Sequence, residues 1–147
     1  MRVIGIDLGT KTMGLAITDL DKTIASSLSN FEFTKNNYEA CINKLKSVFK
    51  QYNNEIDTIV LGLPLKMSGE KTEWTLTVQK FGNTLSTIFP NVRIIFQDER
   101  MTTINAVTFL KEDLGLKASK IKKIKDKMSA VIILQEYLDI YSKQKEK

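Results

Sequence analysis

The segment from Arg2 to Asp19, RVIGIDLGTKTMGLAITD, constrains the fold more than any other part of the chain. It reads as an apolar run, an Asp, a Gly-Thr turn, a second apolar run and a second Asp. Successive residues of a strand point to opposite faces. Val3, Ile4 and Ile6 therefore put bulky side chains on both faces of one strand. Such a strand belongs in mid-sheet, covered on both sides. Asp7 ends it, at the edge where open α/β sheets tend to carry their chemistry.

The remaining elements follow in chain order. Residues 2–7 form a first strand and 8–11 a turn, where Gly9 can supply the positive φ of a tight hairpin. Residues 13–18 form a second strand, with Gly14 thin enough to admit a close neighbour, and 23–33 a loosely alternating third. Asn36 or Asn37 caps a helix running to about Lys50, with Ala40, Cys41, Leu45, Val48 and Phe49 at helical spacing. Residues 57–63 are an apolar strand, reached by a crossover that makes it parallel. A Pro- and Gly-containing loop, 64–71, precedes a helix over 72–89 with Trp74, Leu76, Val78, Phe81 and Leu85 on its apolar face. Residues 92–96 form a fifth strand and 97–103 are polar except for Met101. Thr102 or Thr103 caps a further helix bearing Ala106, Val107 and Leu110. A last, broadly apolar and well-buried helix covers about 126–142, before a polar tail at 142–147 that is expected to fray. The expected class is α/β. It combines a five-stranded mixed sheet, a three-stranded antiparallel meander plus parallel strands, with helices on both faces, and residues 1–147 form one domain.

The chain has no histidine among its 147 residues. Imidazole bases and Ser-His or Cys-His nucleophiles are excluded, and so is the commonest zinc and iron ligand. A base must come from a carboxylate, a lysine, a tyrosine or a metal-held water. The single cysteine, Cys41, rules out an intrachain disulfide and reads as a small buried hydrophobe. No apolar stretch approaches the ~20 residues of a membrane span, and no signal segment precedes the first strand. The expectation is a cytoplasmic protein with no membrane association.

Acidic residues stand at three comparable places: Asp7 at the end of strand one, Asp98-Glu99 after strand five, and Asp126 at the start of the last helix. Carboxylates brought together repel unless a cation lies between them. Mg²⁺ and Mn²⁺ suit oxygen ligands, and such a site hydrolyses phosphodiesters without histidine. Each residue also has a plain structural reading. Asp7 can accept N–H bonds in the 8–11 turn, Glu99 can pair with Arg100, and Asp126 can cap a helix. The metal-site reading rests on the three together.

Twenty-two basic residues against 17 acidic leave a net charge of +5, which permits an anionic partner. Seven lysines fall between 111 and 127, among them Lys120, Lys122 and Lys123. Such a run is a solvated face or, placed beside Asp126, a phosphate-facing one. Lys11, Lys66 and Arg100 lie in loops expected on the same sheet edge, and Arg100 can grip a phosphate through two N–H groups. Aromatics are few, so backbone and shape recognition are expected rather than base stacking.

The stretches GIDLGTKTMGLAITD, GLPLKMSG, QDERMTT and IKDKMSAVIILQEYL together resemble the YqgF family, small bacterial proteins described both as Holliday junction resolvases and as pre-16S rRNA nucleases. The likeness runs from residue 2 to about 140. It implies a ribonuclease H-like fold related to the RuvC resolvases. Carried over by position, it implies a catalytic and metal-holding triad of Asp7, Glu99 and Asp126. It implies endonuclease action with Mg²⁺ or Mn²⁺ on structured RNA during ribosome maturation, at the 5′ end of precursor 16S rRNA and in association with a ribosomal subunit. Branched DNA is the other substrate it implies. Lys66 stands where the family usually carries Asn, and Ser129 where it usually carries Ala.

Two further readings stay open. GIDLGT is also similar to the first phosphate loop of the actin, Hsp70 and sugar-kinase ATPases, which suggests a nucleotide-binding module, although those proteins close two such domains on ATP. A non-catalytic RNA-binding assembly factor would keep the same fold. The apolar last helix fits a monomer or a weak homodimer.

Overall fold

A computed structural model describes residues 1–100 and 115–145, and the backbone alone for 121–127 and 142–145. Its elements are β1 (Arg2–Leu8), β2 (Thr12–Thr18), β3 (Ala25–Glu32), α1 (Tyr38–Gln51), β4 (Ile56–Leu63), α2 (Glu73–Ile88), β5 (Arg93–Asp98) and α3 (Ala118–Lys145). The helix expected from Thr102 or Thr103 lies outside the described residues.

The five strands stand in the order β3-β2-β1-β4-β5. β1–β2 and β2–β3 are antiparallel, whereas β1–β4 and β4–β5 are parallel. This is the mixed sheet expected, with β1 in the middle. Alternation along the strands sorts two cores. Ile4, Ile6, Met13, Leu15, Ile59 and Leu61 face α1 and α2, where they meet Leu45, Val48, Val78, Phe81 and Leu85. Val3, Ala16 and Val60 face the other way and pack with Ala130, Ile133 and Leu134 of α3. Val3, Ile4 and Ile6 are each at most 1% exposed, so β1 is buried on both faces.

Local chemistry sets the element ends. Asn37 caps α1 by accepting from the Ala40 N–H, and Thr72 caps α2 in a reciprocal pair with Thr75. Gly9 closes the β1–β2 turn by donating its N–H to the Thr12 carbonyl at 2.7 Å. It is not among the residues with positive φ. Its use is close approach, because a Cβ there would lie 3.0 Å from that carbonyl oxygen.

Several bounds differ from the sequence reading. β3 begins at Ala25, because Thr23 and Ile24 donate their N–H groups to Asp19 in the preceding turn. β5 continues through Gln97 and Asp98, which pair with Gly62 and Leu63. Leu76 is 56% exposed, because Thr75, Val78, Phe81, Gly82 and Leu85 form the inward row of α2. The last helix begins at Ala118 rather than near 126, and it runs to Lys145, past the point where the tail was expected to fray. Between those ends it contains no Pro or Gly, and lysine is a good helix former. Asp126 is thus an interior helical position and no N-cap. α3 buries Ala130, Ile133, Leu134 and Leu138 along one stripe, while Ile140 is 42% exposed.

Candidate active site

The site is built on the α3 face of the sheet, at the C-terminal ends of its parallel strands. Val3, Gly5 and Asp7 alternate onto that face of β1. Gly5 lets α3 come close, and Gly14 lies in ordinary contact distance of it. A Cβ on Gly5 would stand 2.7 Å from Leu134 Cβ, and one on Gly14 would stand 3.5 Å from Ala130 Cβ and 3.7 Å from Asp7 Cβ. Gly14 is the residue paired with Asp7 across the hairpin.

Glu99 follows β5, and its N–H continues the parallel ladder by donating to the Leu63 carbonyl at 3.3 Å. Its carboxylate lies over Gly62 of β4, where a Cβ would overlap Glu99 Oε1 and come within 2.6 Å of Ile133 Cδ1. Ile6 of β1 pairs with Leu61 of β4, so Asp7 and Gly62 are the next neighbours along the two strands. Strands lie about 4.8 Å apart. The carboxylate of Glu99, on Gly62, is therefore about one strand spacing from the backbone of Asp7.

Asp126 lies in α3, and its side chain is outside the described residues. Leu134 packs on Gly5, and Ala130 reaches Gly14 beside Asp7. Moving down the helix thus leads toward the Asp7 end. Four residues of helix advance about 6 Å, so the helical repeat carries position 126 one turn beyond Ala130 in that direction. Of the described residues, no group of three His, Cys, Asp or Glu side chains is placed to hold a metal ion. The two described carboxylates nevertheless suit a hard divalent cation, since both are oxygen donors on one face beside a strand cleared by a glycine.

Arg100 is occupied. Its Nε and Nη2 donate to both carboxylate oxygens of Asp98, at 2.7–3.1 Å, and its Nη1 donates to the Met67 carbonyl at 3.0 Å. Its partner is Asp98 rather than Glu99. The guanidinium holds the Asp98 carboxyl below its ordinary range. It also lies over Gly69, whose φ is +90°, and so ties the 64–71 loop to the end of β5. Thr75 donates its hydroxyl to the Pro64 carbonyl at the loop's other end. Glu99 sits in the middle of this brace.

Lys11 is exposed in the β1–β2 turn, and Lys66 is exposed in the loop after β4, 4.0 Å from Glu70. Both stand on the same edge as Asp7 and Glu99. Lys120 is exposed in the first turn of α3, while the side chains of Lys122 and Lys123 lie outside the described residues. Sequence reasoning did not single out Gly62 or the pairing role of Asp98. The available signal for Gly62 was a glycine inside an otherwise apolar strand, which marks close approach of another group. Among the described residues, no helix is long and apolar enough to cross a membrane.

The profile of the RuvX family, described as Holliday junction resolvase, matches residues 1–140. A protein of Ureaplasma parvum serovar 3 named "Putative pre-16S rRNA nuclease" is 45% identical over 142 residues, covering 94% of this chain and 96% of its own. A protein of the same name from Mycoplasmopsis pulmonis is 44% identical over 140 residues, covering 95% of this chain and 93% of its own. Among solved structures, RuvC of T. thermophilus in complex with a Holliday junction substrate superposes with a TM-score of 0.57 at 15% identity, covering 97% of this chain and 96% of that one. The fowlpox virus Holliday junction resolvase gives 0.54 at 15% identity, covering 95% and 99%. These likenesses identify the fold as ribonuclease H-like, of the RuvC type.

Proposed function

We propose, on the premise that this chain belongs to the RuvX family, that it is an endonuclease hydrolysing phosphodiester bonds in structured nucleic acid with a divalent cation. The substrate of this reading is the 5′ end of precursor 16S rRNA. The observation that carries it is the Glu99 carboxylate lying on Gly62, the strand neighbour of Asp7, at the C-terminal edge of parallel strands. The full-length likeness to relatives named for pre-16S rRNA supports the substrate.

Asp7, Glu99 and Asp126 would hold Mg²⁺ or Mn²⁺. Such an ion supplies Lewis acidity toward a phosphate and toward water. With no histidine in the chain, proton traffic cannot pass through an imidazole. Asp7 sits on a strand buried on both faces, so its backbone costs no reorganisation when substrate arrives. The Asp98–Arg100 brace holds the backbone on either side of Glu99. Lys11, Lys66 and Lys120 offer ammonium groups to phosphates, with Lys122 and Lys123 on the same helix. The protein of this reading works in the cytoplasm, in contact with a ribosomal subunit, as a monomer or weak homodimer.

The test is cleavage of a precursor 16S rRNA fragment in Mg²⁺ or Mn²⁺, comparing the wild type with Asp7→Asn. Loss of one carboxylate should slow cleavage by about 100-fold or more, since a metal contributes several kcal/mol at the transition state. Equal rates would sink the reading. A four-way DNA junction, run in parallel, decides between the RNA substrate and the family's Holliday junction description.

A further inference from the structure

A cavity of about 640 Å³ opens on the other side of the sheet edge, between the β1–β2 turn, the loop before α1, and α2. That size is within the range of small-ligand sites. Its apolar lining includes Tyr38, Trp74 and Phe81, and its rim carries Lys35 and Lys80. Tyr38 and Trp74 are half-buried, so each leaves ring surface accessible, whereas Phe81 is the buried floor. Tyr38 is 6.1 Å from Phe81 between ring centroids and 6.0 Å from Phe33, which is 6.3 Å from Phe31. Lys44 stands over Phe31 at 5.9 Å. Through Tyr38 the cavity thus adjoins a row of rings, Phe33 and Phe31, that lies outside its lining.

We infer that this cavity is a docking site for an unpaired nucleotide of the nucleic-acid substrate, with the base on Trp74 and Tyr38 and its phosphates on Lys35 and Lys80. The inference rests on the nucleic-acid reading above and adds a base-contacting subsite to it. Three observations select this occupant. The cavity combines flat aromatic surface with cations, the pairing used by proteins that bind single strands. Its charged lining is Lys35 and Lys80 against Glu73, which favours an anion. Its lining also reaches the β1–β2 turn at Thr10, three residues after Asp7. From Asp7 to Thr10 the chain spans at most about 11 Å. A single strand crossing the carboxylates can therefore pass over this turn and lodge a base a few nucleotides away. Such a pocket would direct the enzyme toward substrates with unpaired nucleotides beside the cleavage point.

Trp74 is the only tryptophan in the chain, so its emission reports on this cavity alone. The full-length wild type in EDTA is titrated at fixed salt with a nine-nucleotide oligoadenylate, and with a nine-unit abasic ribose-phosphate of equal charge. The oligoadenylate should quench Trp74 and bind at least about 5-fold tighter than the abasic oligomer, as expected for one stacked base. Tyr38→Leu, followed by anisotropy of labelled oligomers, should weaken the oligoadenylate and leave the abasic oligomer unchanged. Equal affinities, binding without quenching, no binding, or equal losses for both oligomers in Tyr38→Leu would each overturn the inference, the last three pointing to a protein-docking or purely structural surface. The wild-type comparison does not depend on any variant folding. Cleavage of precursor rRNA without quenching would remove this subsite and leave the nuclease standing. Quenching without cleavage would do the reverse.

Discussion

Glu99 lays its carboxylate on Gly62, in the space a side chain on β4 would fill. The glycine thus determines where the acid can be. The same absence of a Cβ leaves room for Ile133 of α3. One backbone position serves both the candidate chemistry and the helix that covers it.

Gly62→Ala should therefore be more harmful to cleavage than to folding. Its Cβ would meet Glu99 and Ile133 in a closely packed layer, and overpacking of this kind costs about 1–3 kcal/mol. Moving the carboxylate by an ångström should reduce the cleavage rate about 100-fold. Thermal unfolding and a cleavage assay on one preparation check both parts, and full activity in the variant would show that Glu99 does not act from this place.

Gly5→Ala tests the packing of α3. The added methyl would stand 2.7 Å from Leu134 Cβ and 3.0 Å from the Ala130 carbonyl oxygen, so the helix must shift. Stability should fall by about 1–3 kcal/mol in denaturant titration. Cleavage should fall as well, because the shifted helix carries position 126. Leu134→Ala should cost about 2–5 kcal/mol, since Leu134 is fully buried.

Asp98→Asn separates bracing from charge. The hydrogen bonds from the Arg100 side chain hold the Asp98 carboxyl below its ordinary value of 3.8. A depressed carboxyl stabilises the fold at pH values above its unfolded value, and that contribution is lost as pH falls through the folded one. The wild type should thus exceed the variant at pH 6–7, and the gap should begin to close only as pH falls below about 4. Asp98 is 40% exposed, so water screens the pair and the difference should stay below about 1 kcal/mol. Cleavage at neutral pH should fall further in proportion, about 10- to 100-fold, as when a group orienting a metal ligand is lost. Chemical denaturation across pH 3–7, with rates at pH 7, measures both.

Cys41 is fully buried in α1, and burial pushes its thiol up to about 11. Iodoacetamide at pH 8 should leave the native protein unmodified and alkylate it in denaturant. Mass spectrometry reads the outcome, and rapid native labelling would mean that α1 opens readily.

Much of the architecture was legible in sequence because it follows from local patterns. The apolar runs of β1, β2 and β4, the turn between the first two and the crossover through α1 lead to a mixed sheet with β1 inside. The cap at Asn37 follows from the helix start it precedes. Asp7 and Glu99 were legible as strand-end acids, and the four family-like stretches indicated which acids to group. The start of α3 is not legible in the sequence, because a lysine-rich run shows no apolar stripe yet forms helix readily when packing anchors it downstream. Gly9 can supply a positive φ, but the fold uses its lack of a Cβ instead.

What the sequence determined alone is the alternation of strands and helices, the absence of histidine and the order of the acidic residues. Only tertiary structure decided which groups meet. Arg100 could have paired with either acid before it, and strand alternation puts Asp98 and Glu99 on opposite faces, leaving Asp98 for the arginine and Glu99 for Gly62. Tyr38, Trp74 and Phe81 are scattered among helical positions in the chain, and only the packing of α1 beside α2 brings them to one cavity. Periodicity is a property of neighbours along the chain, so it is written in the sequence. Convergence depends on crossovers, strand register and the small residues that let backbones approach, and it exists only in the packed fold.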